Sequence, residues 1–434
     1  MRHTITTLLG GLLIFVFVPL ASAQMSDQRE QEPWDVHFFG RLQTLGFMQA
    51  VKDEFRDNAR LYLYLKQARL GVHATYEDVA FDLQLAFGGE EEVRAPSPGV
   101  ALSLLDLSAD IPIRKSLRVR VGQYKVPYGR ENIVDEGAML FSEPSIQYLG
   151  SKLGRDVGIT LHGYSGSFAS ALGIFTGGGR DVPIRYIPLD LGFPMVVARV
   201  GLNEGIDDDI FTTHQTGFES GSGMAMYVNA LYMKDSKVGH STAFNVKLAD
   251  KSLFLNSNWN PFIAKRPLEK NEFWQAGFDM AMRMRMPNGS VISGEAEYNY
   301  GIFKNPYGKI TLSEGRALAS YYTKPIELAV RYAFLRPDAG LGVTDGTGKV
   351  TQIVDEKLIQ EIGFAISYYL KGDWVKLTAE LPVYIDVPVA TEPNLGAYVL
   401  TQQVDQTSVL VAPTNGKVSR QTVVEARMQL QVRF

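Results

Sequence analysis

The 434-residue chain has no cysteine. A disulfide framework and a thiolate metal site are therefore both excluded, as suits a chain that crosses an oxidising compartment. Histidine is scarce as well. The six residues, His37, His73 and His162 among them, are scattered and show no metal-ligand spacing. Nor is there an excess of positive charge: 43 basic residues stand against 47 acidic ones, a formal net of −4. Bulk charge thus gives no reason to expect a nucleic-acid partner. Beyond residue 23 no apolar stretch is long enough for a membrane helix, which needs roughly 20 residues. Such a chain can span a membrane only as a closed β-barrel, because only helices and barrels satisfy every backbone group in lipid.

The N-terminus carries an export pattern. Arg2 precedes an apolar run from Leu8 to Leu20, and Ala21-Ser22-Ala23 has the small-x-small form of a cleavage site. Residues 1–23 read as a secretory signal peptide, and the run is too short for an anchoring helix. The mature chain is expected to begin at Gln24, with 24–33 a short extension and 34–434 the folded domain. Loss of Arg2 takes the net charge to −5.

What is abundant is alternation. Counting back from the end, Phe434, Val432, Leu430, Met428, Ala426 and Val424 share one face, and Arg433, Gln431, Gln429, Arg427 and Glu425 the other. Side chains alternate faces along a strand. One face is therefore apolar and the other polar over about ten residues, as in a tilted membrane strand with lipid outside and water inside. Phe278 to Met286 repeats the pattern against Asp279, Arg283 and Arg285, and Ile326 to Phe334 repeats it against Glu327 and Arg331. Leu117, Val119 and Val121 oppose Arg118 and Arg120; Phe81, Leu83, Leu85 and Phe87 oppose Asp82 and Gln84.

Short turn-rich links (Tyr76-Glu77-Asp78, Tyr164 to Ser167, Pro287-Asn288-Gly289, Lys324-Pro325, Lys371-Gly372-Asp373) alternate with long polar ones. The long ones are 46–58, 88–99, 130–155, 177–195, 234–272, 301–314, 336–359 and 385–420. Segment 203–221 is long where a turn is expected. The strands read as 35–45, 60–75, 79–87, 101–111, 117–124, 156–163, 168–176, 196–202, 223–233, 273–286, 290–300, 315–323, 326–335, 360–370, 374–384 and 421–434. The expectation is an all-β fold: a transmembrane antiparallel β-barrel of about sixteen strands with inward-folded loops, wide enough for an aqueous lumen.

Several stretches resemble the phosphate-selective porin family, the O and P porins. They are QARLGVHATYEDVAFDLQLAF from Gln67, LSLLDLSADIPIRKSLRVRVGQYKVPYG from Leu102, GRDVGITLHG from Gly154, IELAVRYAFLRPD from Ile326, EIGFAISYYLKGDWVKLTAELPVY from Glu361 and the final ARMQLQVRF. VGQYKVPYG followed by GRDVG is the most specific pair. The resemblance implies a trimeric outer-membrane porin of a Gram-negative bacterium, contacting membrane lipid and lipopolysaccharide and passing small anions such as phosphate. It also implies that the third outer loop, here 130–155, folds inward and narrows the lumen. Apolar Met139, Leu140 and Phe141 would pin that loop to the wall.

Pores select ions by inward charges near the narrowest point. By alternation the inward cations include Arg41, Arg60, Lys66, Arg118, Arg120, Arg283, Arg285, Arg331, Lys376, Arg427 and Arg433, facing Asp82, Asp279, Glu295, Glu297, Glu327, Glu380 and Glu425. The candidate anion-binding residues are Arg118, Arg120, Lys125, Arg283, Arg285 and Arg331, with Lys125 alone carried by the family motif. The expectation is a modest anion preference set by Arg118, Arg120 and Lys125, with Arg283 and Arg285 near the 234–272 loop as the fallback filter. Alternatives are a general diffusion porin and a barrel enzyme. For the latter, Ser165 after His162 lacks a base and an orienting partner. No catalytic residue, metal or cofactor is expected. Gly177–Gly179 reads as loop, and Glu90–Glu92 and Asp207–Asp209 as solvated acidic runs. A plugged receptor is disfavoured by the shortness of 24–33.

Overall fold

The structure, a computed structural model, describes residues 34–51, 60–89, 102–149, 153–177, 179, 193–207, 209–218, 221–235, 271–305, 308–338, 341–344, 350–354, 358–372, 374–392, 396–399 and 417–434. The expected signal peptide, its cleavage site, the 24–33 extension and Glu90–Glu92 lie outside these residues. So does all or part of the connections expected at 46–58, 88–99, 177–195, 234–272, 336–359 and 385–420.

The strands in chain order are β1 (Trp34–Val51), β2 (Arg60–Tyr76), β3 (Val79–Gly89), β4 (Ser103–Arg114), β5 (Leu117–Lys125), β6 (Arg155–Ser165), β7 (Phe168–Phe175), β8 (Phe193–Glu204), β9 (Gly223–Asp235), β10 (Asn271–Arg285), β11 (Val291–Asn305), β12 (Gly308–Thr323), β13 (Ile326–Pro337), β14 (Leu341–Thr344), β15 (Val350–Val354), β16 (Ile359–Tyr369), β17 (Val375–Glu392), β18 (Gly396–Val399) and β19 (Lys417–Arg433). Sixteen of them, all but β14, β15 and β18, form a closed antiparallel barrel. The seam is β1 against β19, from Arg41↔Arg433 to Val51↔Val423. At its lower end the Gly40 N–H donates to the Phe434 carbonyl at 2.8 Å, and the Phe434 N–H to the Gly40 carbonyl at 3.2 Å.

The sixteen barrel strands answer the sixteen expected ones in order. Several run further: β11 and β12 continue to Asn305 and Gly308 and pair across what reads as the 301–314 loop. Beyond the lipid a ladder needs no apolar face, so the alternation that marks a strand in the sequence fades while backbone pairing goes on. For the same reason β14 and β15, which form their own small sheet, and β18, which pairs with the far end of β17, fall in segments that read as loops.

Alternation sorts the side chains as expected. Leu63, Phe38, Val228 and Met428 are exposed on the outer face, whereas Gln429, Gln431, Glu425 and Arg427 are buried on the inner one. An apolar belt around a closed barrel with a polar interior is stable in a bilayer, not in water. Among the described residues no helix is long and apolar enough to cross a membrane; the strands do so.

Candidate functional site

The inner face is buried because two segments fold into the barrel. The first joins β5 to β6. It carries a single helical turn, α1 (Arg130–Ile133), and 3-10 turns at Glu136–Ala138 and Ile146–Leu149. An irregular chain inside a barrel leaves backbone groups without ladder partners, and each must be satisfied. Wall charges do this. Glu297 accepts from the Glu131 N–H at 2.9 Å, Glu361 from the Ile146 N–H at 2.7 Å, and Glu380 from the Ser142 N–H at 2.7 Å. Lys376 donates to the Met139 carbonyl at 2.8 Å, Arg331 to that of Glu143 at 2.9 Å, Lys66 to that of Ser142 and Lys125 to that of Val134. Met139, Leu140 and Phe141 are buried, as the anchoring role requires. The Phe141 ring lies where a Cβ on Gly363 would be, 2.8 Å away, and the Arg331 guanidinium stacks on it at 4.1 Å.

The second segment is the β8–β9 connection, 205–222, where neighbouring turns take two to five residues. Its described residues, 205–207 and 209–218, fold inward from the turn side and dock on the first. Arg130 and Asp207 form a bidentate pair, both contacts at 2.8 Å and fully enclosed. Val134 and Thr213 make a parallel bridge, and the N–H groups of Gln215 and Thr216 donate to the Ala138 carbonyl. Ile206, Ile210 and Phe211 join an apolar cluster with Tyr124, Tyr128, Val197 and Tyr227. Asp207 is therefore no solvated acid. Burial raises its carboxyl, but Arg130 outweighs this and holds it below the usual carboxylate range.

Between these segments and the wall of β19 and β1 to β6 the charges stay partly open. The side chains of Arg433 (32 %), Arg118 (31 %), Asp135 (24 %) and Glu136 (22 %) keep exposure, whereas Arg199, Arg316 and Asp279 across the lumen are at 0 %. The more open of these inward charges thus lie in the sector of β19 and β1 to β6, although Arg69 (1 %) and Arg41 (7 %) of the same sector are buried. At its centre sits Glu136, within 3.0 Å of Arg69, 3.3 Å of Lys125, 3.4 Å of Arg41 and 4.0 Å of Arg155. Asp135 meets Arg41 at 2.6 Å and Arg433 at 3.6 Å, and Asp106 meets Arg155 at 2.9 Å. Five cations thus share three carboxylates. Burial raises both loop carboxyls. Around Glu136 the opposing cations are Arg69, Lys125, Arg155 and Arg41; around Asp135 they are Arg41 and Arg433. In each case they win, leaving the carboxyl well below the usual range.

Of the six expected anion-binding residues, Lys125 belongs to this cluster. Arg118 and Arg120 sit nearer the turns, sharing Asp110 at 2.5 and 3.0 Å, and Arg120 also reaches Asp209 at 3.3 Å. Arg331 is bound to Glu361 and anchors the loop. Arg283 donates to the Ile206 and His214 carbonyls and so holds the second segment. Arg285 is exposed beside the β10–β11 turn. The fallback filter is thereby corrected: β10 leaves the 234–272 connection at Asn271 and carries Arg283 and Arg285 to its opposite end. The Arg60 side chain lies outside the described residues.

Arg69, Arg155, Arg199 and Arg316 are absent from the expected inward cations. Arg199, Arg316, and the likewise missed Glu314 and Glu361, do obey the alternation of their strands and were legible. Arg69 was hidden by a bulge beside Gln67, which leaves Lys66 unpaired and both Lys66 and Gln67 facing inward. One extra residue reverses the parity of everything after it. Gly177 and Gly179 donate backbone N–H groups to Asp156 at 2.7 and 3.2 Å, so that glycine run wraps a side-chain carboxylate of this chain. His162 pairs with Asp110 at 2.9 Å on the inner face, and by alternation Ser165 points the other way.

Comparisons agree with this architecture. Residues 41–182 match the family model described as phosphate-selective porin O and P. No curated protein matches in sequence. Among solved structures, an anion-selective porin from Comamonas acidovorans is 13% identical with a TM-score of 0.56, the match covering 92% of this chain and 100% of that one. The outer membrane channel DcaP of Acinetobacter baumannii is 10% identical, TM-score 0.52, over 94% and 100%. The trimer form of OmpT from Vibrio cholerae is 11% identical, TM-score 0.51, over 93% and 100%. At such identities the likeness shows the fold. The chain is thus a sixteen-stranded β-barrel with the fold of outer-membrane porins, and its residues 41–182 match the phosphate-selective porin O and P family.

Proposed function

We propose that the protein is a homotrimeric porin, exported through cleavage after Ala23, that passes small anions by passive diffusion along the β1–β6 sector of its lumen. The observation that carries this reading is the excess of cations in the inward cluster around Glu136: Arg41, Arg69, Lys125, Arg155 and Arg433 against Asp106, Asp135 and Glu136, with Arg433, Asp135 and Glu136 part-exposed and Arg41 and Arg69 buried behind them. In a narrow passage an ion comes within a few ångströms of these groups, inside a Debye length of roughly 8 Å at physiological salt. A surplus of positive charge there lowers the barrier for anions. The surplus is small and internally paired, so the preference is modest. Phosphate, which pairs well with guanidinium forks, is the favoured physiological solute. Trimerisation is supported by the trimer form named for the Vibrio cholerae neighbour. Lipid and lipopolysaccharide would surround the apolar belt.

Reversal potentials across planar bilayers in a potassium chloride gradient test the selectivity. Wild type should favour chloride. Glu136→Gln removes a negative charge and should raise the chloride-to-potassium permeability ratio by roughly two- to fivefold. A cation-selective wild type, or a ratio that Glu136→Gln leaves unmoved, would place the filter elsewhere and leave a general diffusion porin.

A further inference from the structure

We infer that the 205–222 segment is a second, built-in filter element, which closes one half of the lumen from the turn side and forms a charged wall of the passage left in the other half. The inference rests on the channel reading above and extends it to a segment that selectivity arguments based on the third outer loop alone would ignore. Two observations carry it.

First, the wall opposite the passage is made to be covered. The inward positions of β7 to β10 include Ala169, Ala171, Val197, Ala225 and Ala281, all buried in the apolar cluster that takes in Ile206, Ile210 and Phe211. A water-filled half-lumen would face a wall of polar groups. Small apolar residues instead leave volume that must be filled by something apolar, and the segment fills it. It is held at both ends: Arg130 pairs with Asp207, and Glu327 accepts from the Gly217 N–H at 2.7 Å. This half of the barrel is thus a packed core.

Second, the other side of the segment faces the open sector with a charge. The Asp209 side chain is 32 % exposed and lies 3.3 Å from Arg120, whose guanidinium sits 3.9 Å over the Phe211 ring. Asp209 offsets a wall cation at the border of the passage. It therefore tempers the anion preference that the Glu136 cluster creates, and it is a specificity-determining residue. Its Oδ1 also accepts from the Phe211 N–H at 2.7 Å. An asparagine keeps that bond while removing the charge.

Two variants test the inference in planar bilayers, with heat-modifiable gel migration as the check on folding. One replaces residues 206–217 by an Asn-Gly turn; the other is Asp209→Asn. If the segment closes half the lumen, the shortened protein should conduct at least about twice as much current per channel, since a sixteen-stranded barrel without it has an open lumen. Asp209→Asn should raise the chloride-to-potassium ratio roughly twofold. A folded shortened variant with wild-type conductance, or Asp209→Asn with a wild-type ratio, overturns the inference. Should the shortened chain fail to fold, Asp209→Asn decides by itself. The two readings fail differently: a wild type that passes no current removes the channel and this inference together, whereas a conducting wild type with unresponsive variants removes the inference alone.

Discussion

Glu136 is the residue on which the lumen turns. It is a loop carboxylate surrounded by four wall cations, three of them arginines that carry charge at any accessible pH. Its folded pKa lies well below the usual carboxylate value. A depressed carboxyl contributes stability that is present above the unfolded pKa and lost only as pH falls through the folded one. The charge of Glu136 itself should therefore be indifferent to mild acid. The factor by which Glu136→Gln raises the permeability ratio is expected to be the same at pH 7 and at about pH 4.5, near the ordinary glutamate value. A factor that shrinks toward one across that interval would show Glu136 titrating within it and would contradict the geometry. The acid itself could be read from the sequence as part of the third outer loop, whereas its partners could not all be. Lys125 follows from the QYK motif and Arg41 from alternation, but Arg69 sits beyond a bulge, and a bulge has no signature in a two-residue period.

At the scale of elements the third outer loop was legible and its fastening was not. Length between VGQYK and GRDVG marks a loop too long for a hairpin, and Met139, Leu140 and Phe141 stand out as apolar residues in a polar stretch. What alternation cannot tell is which inward charges stay free for solutes. Six of them do not: Glu297, Glu361, Glu380, Lys66, Lys376 and Arg331 are taken up by loop backbone groups. Phe141 is the apolar counterpart of these bonds. Phe141→Ala leaves a cavity against Gly363 and removes the surface on which Arg331 lies. A large-to-small change of this kind costs about 3–5 kcal/mol where the site cannot collapse. The cost falls on the loop, because the barrel ladders do not depend on it. The variant should fold to a heat-modifiable barrel but show larger and noisier single-channel currents than wild type. Quiet, wild-type currents would mean that the polar anchors suffice.

For the whole molecule the decisive step is closure, since an open sheet edge has no partner in lipid. Sequence alternation shows that each strand has a lipid face and a lumen face. It cannot show that strand one meets the last strand, because registers between distant strands are written nowhere in a local pattern. Here the seam ends on Phe434, which does two separate jobs. Its backbone exchanges both bonds with Gly40. Its ring occupies the space above that glycine, 2.3 Å from where a Cβ would stand. The two contributions can be separated. Phe434→Ala keeps the paired backbone and uncovers Gly40, whereas deletion of Phe434 removes the last rung as well. Net backbone bonds are worth about 1 kcal/mol each in water, more where no solvent replaces them. The folded, heat-modifiable fraction after refolding into detergent is therefore expected to fall in the order wild type, Phe434→Ala, deletion. A deletion that refolds as well as wild type would mean that the seam is set by the Arg41 to Val51 ladder alone. An alanine variant as impaired as the deletion would instead assign the whole effect to the ring.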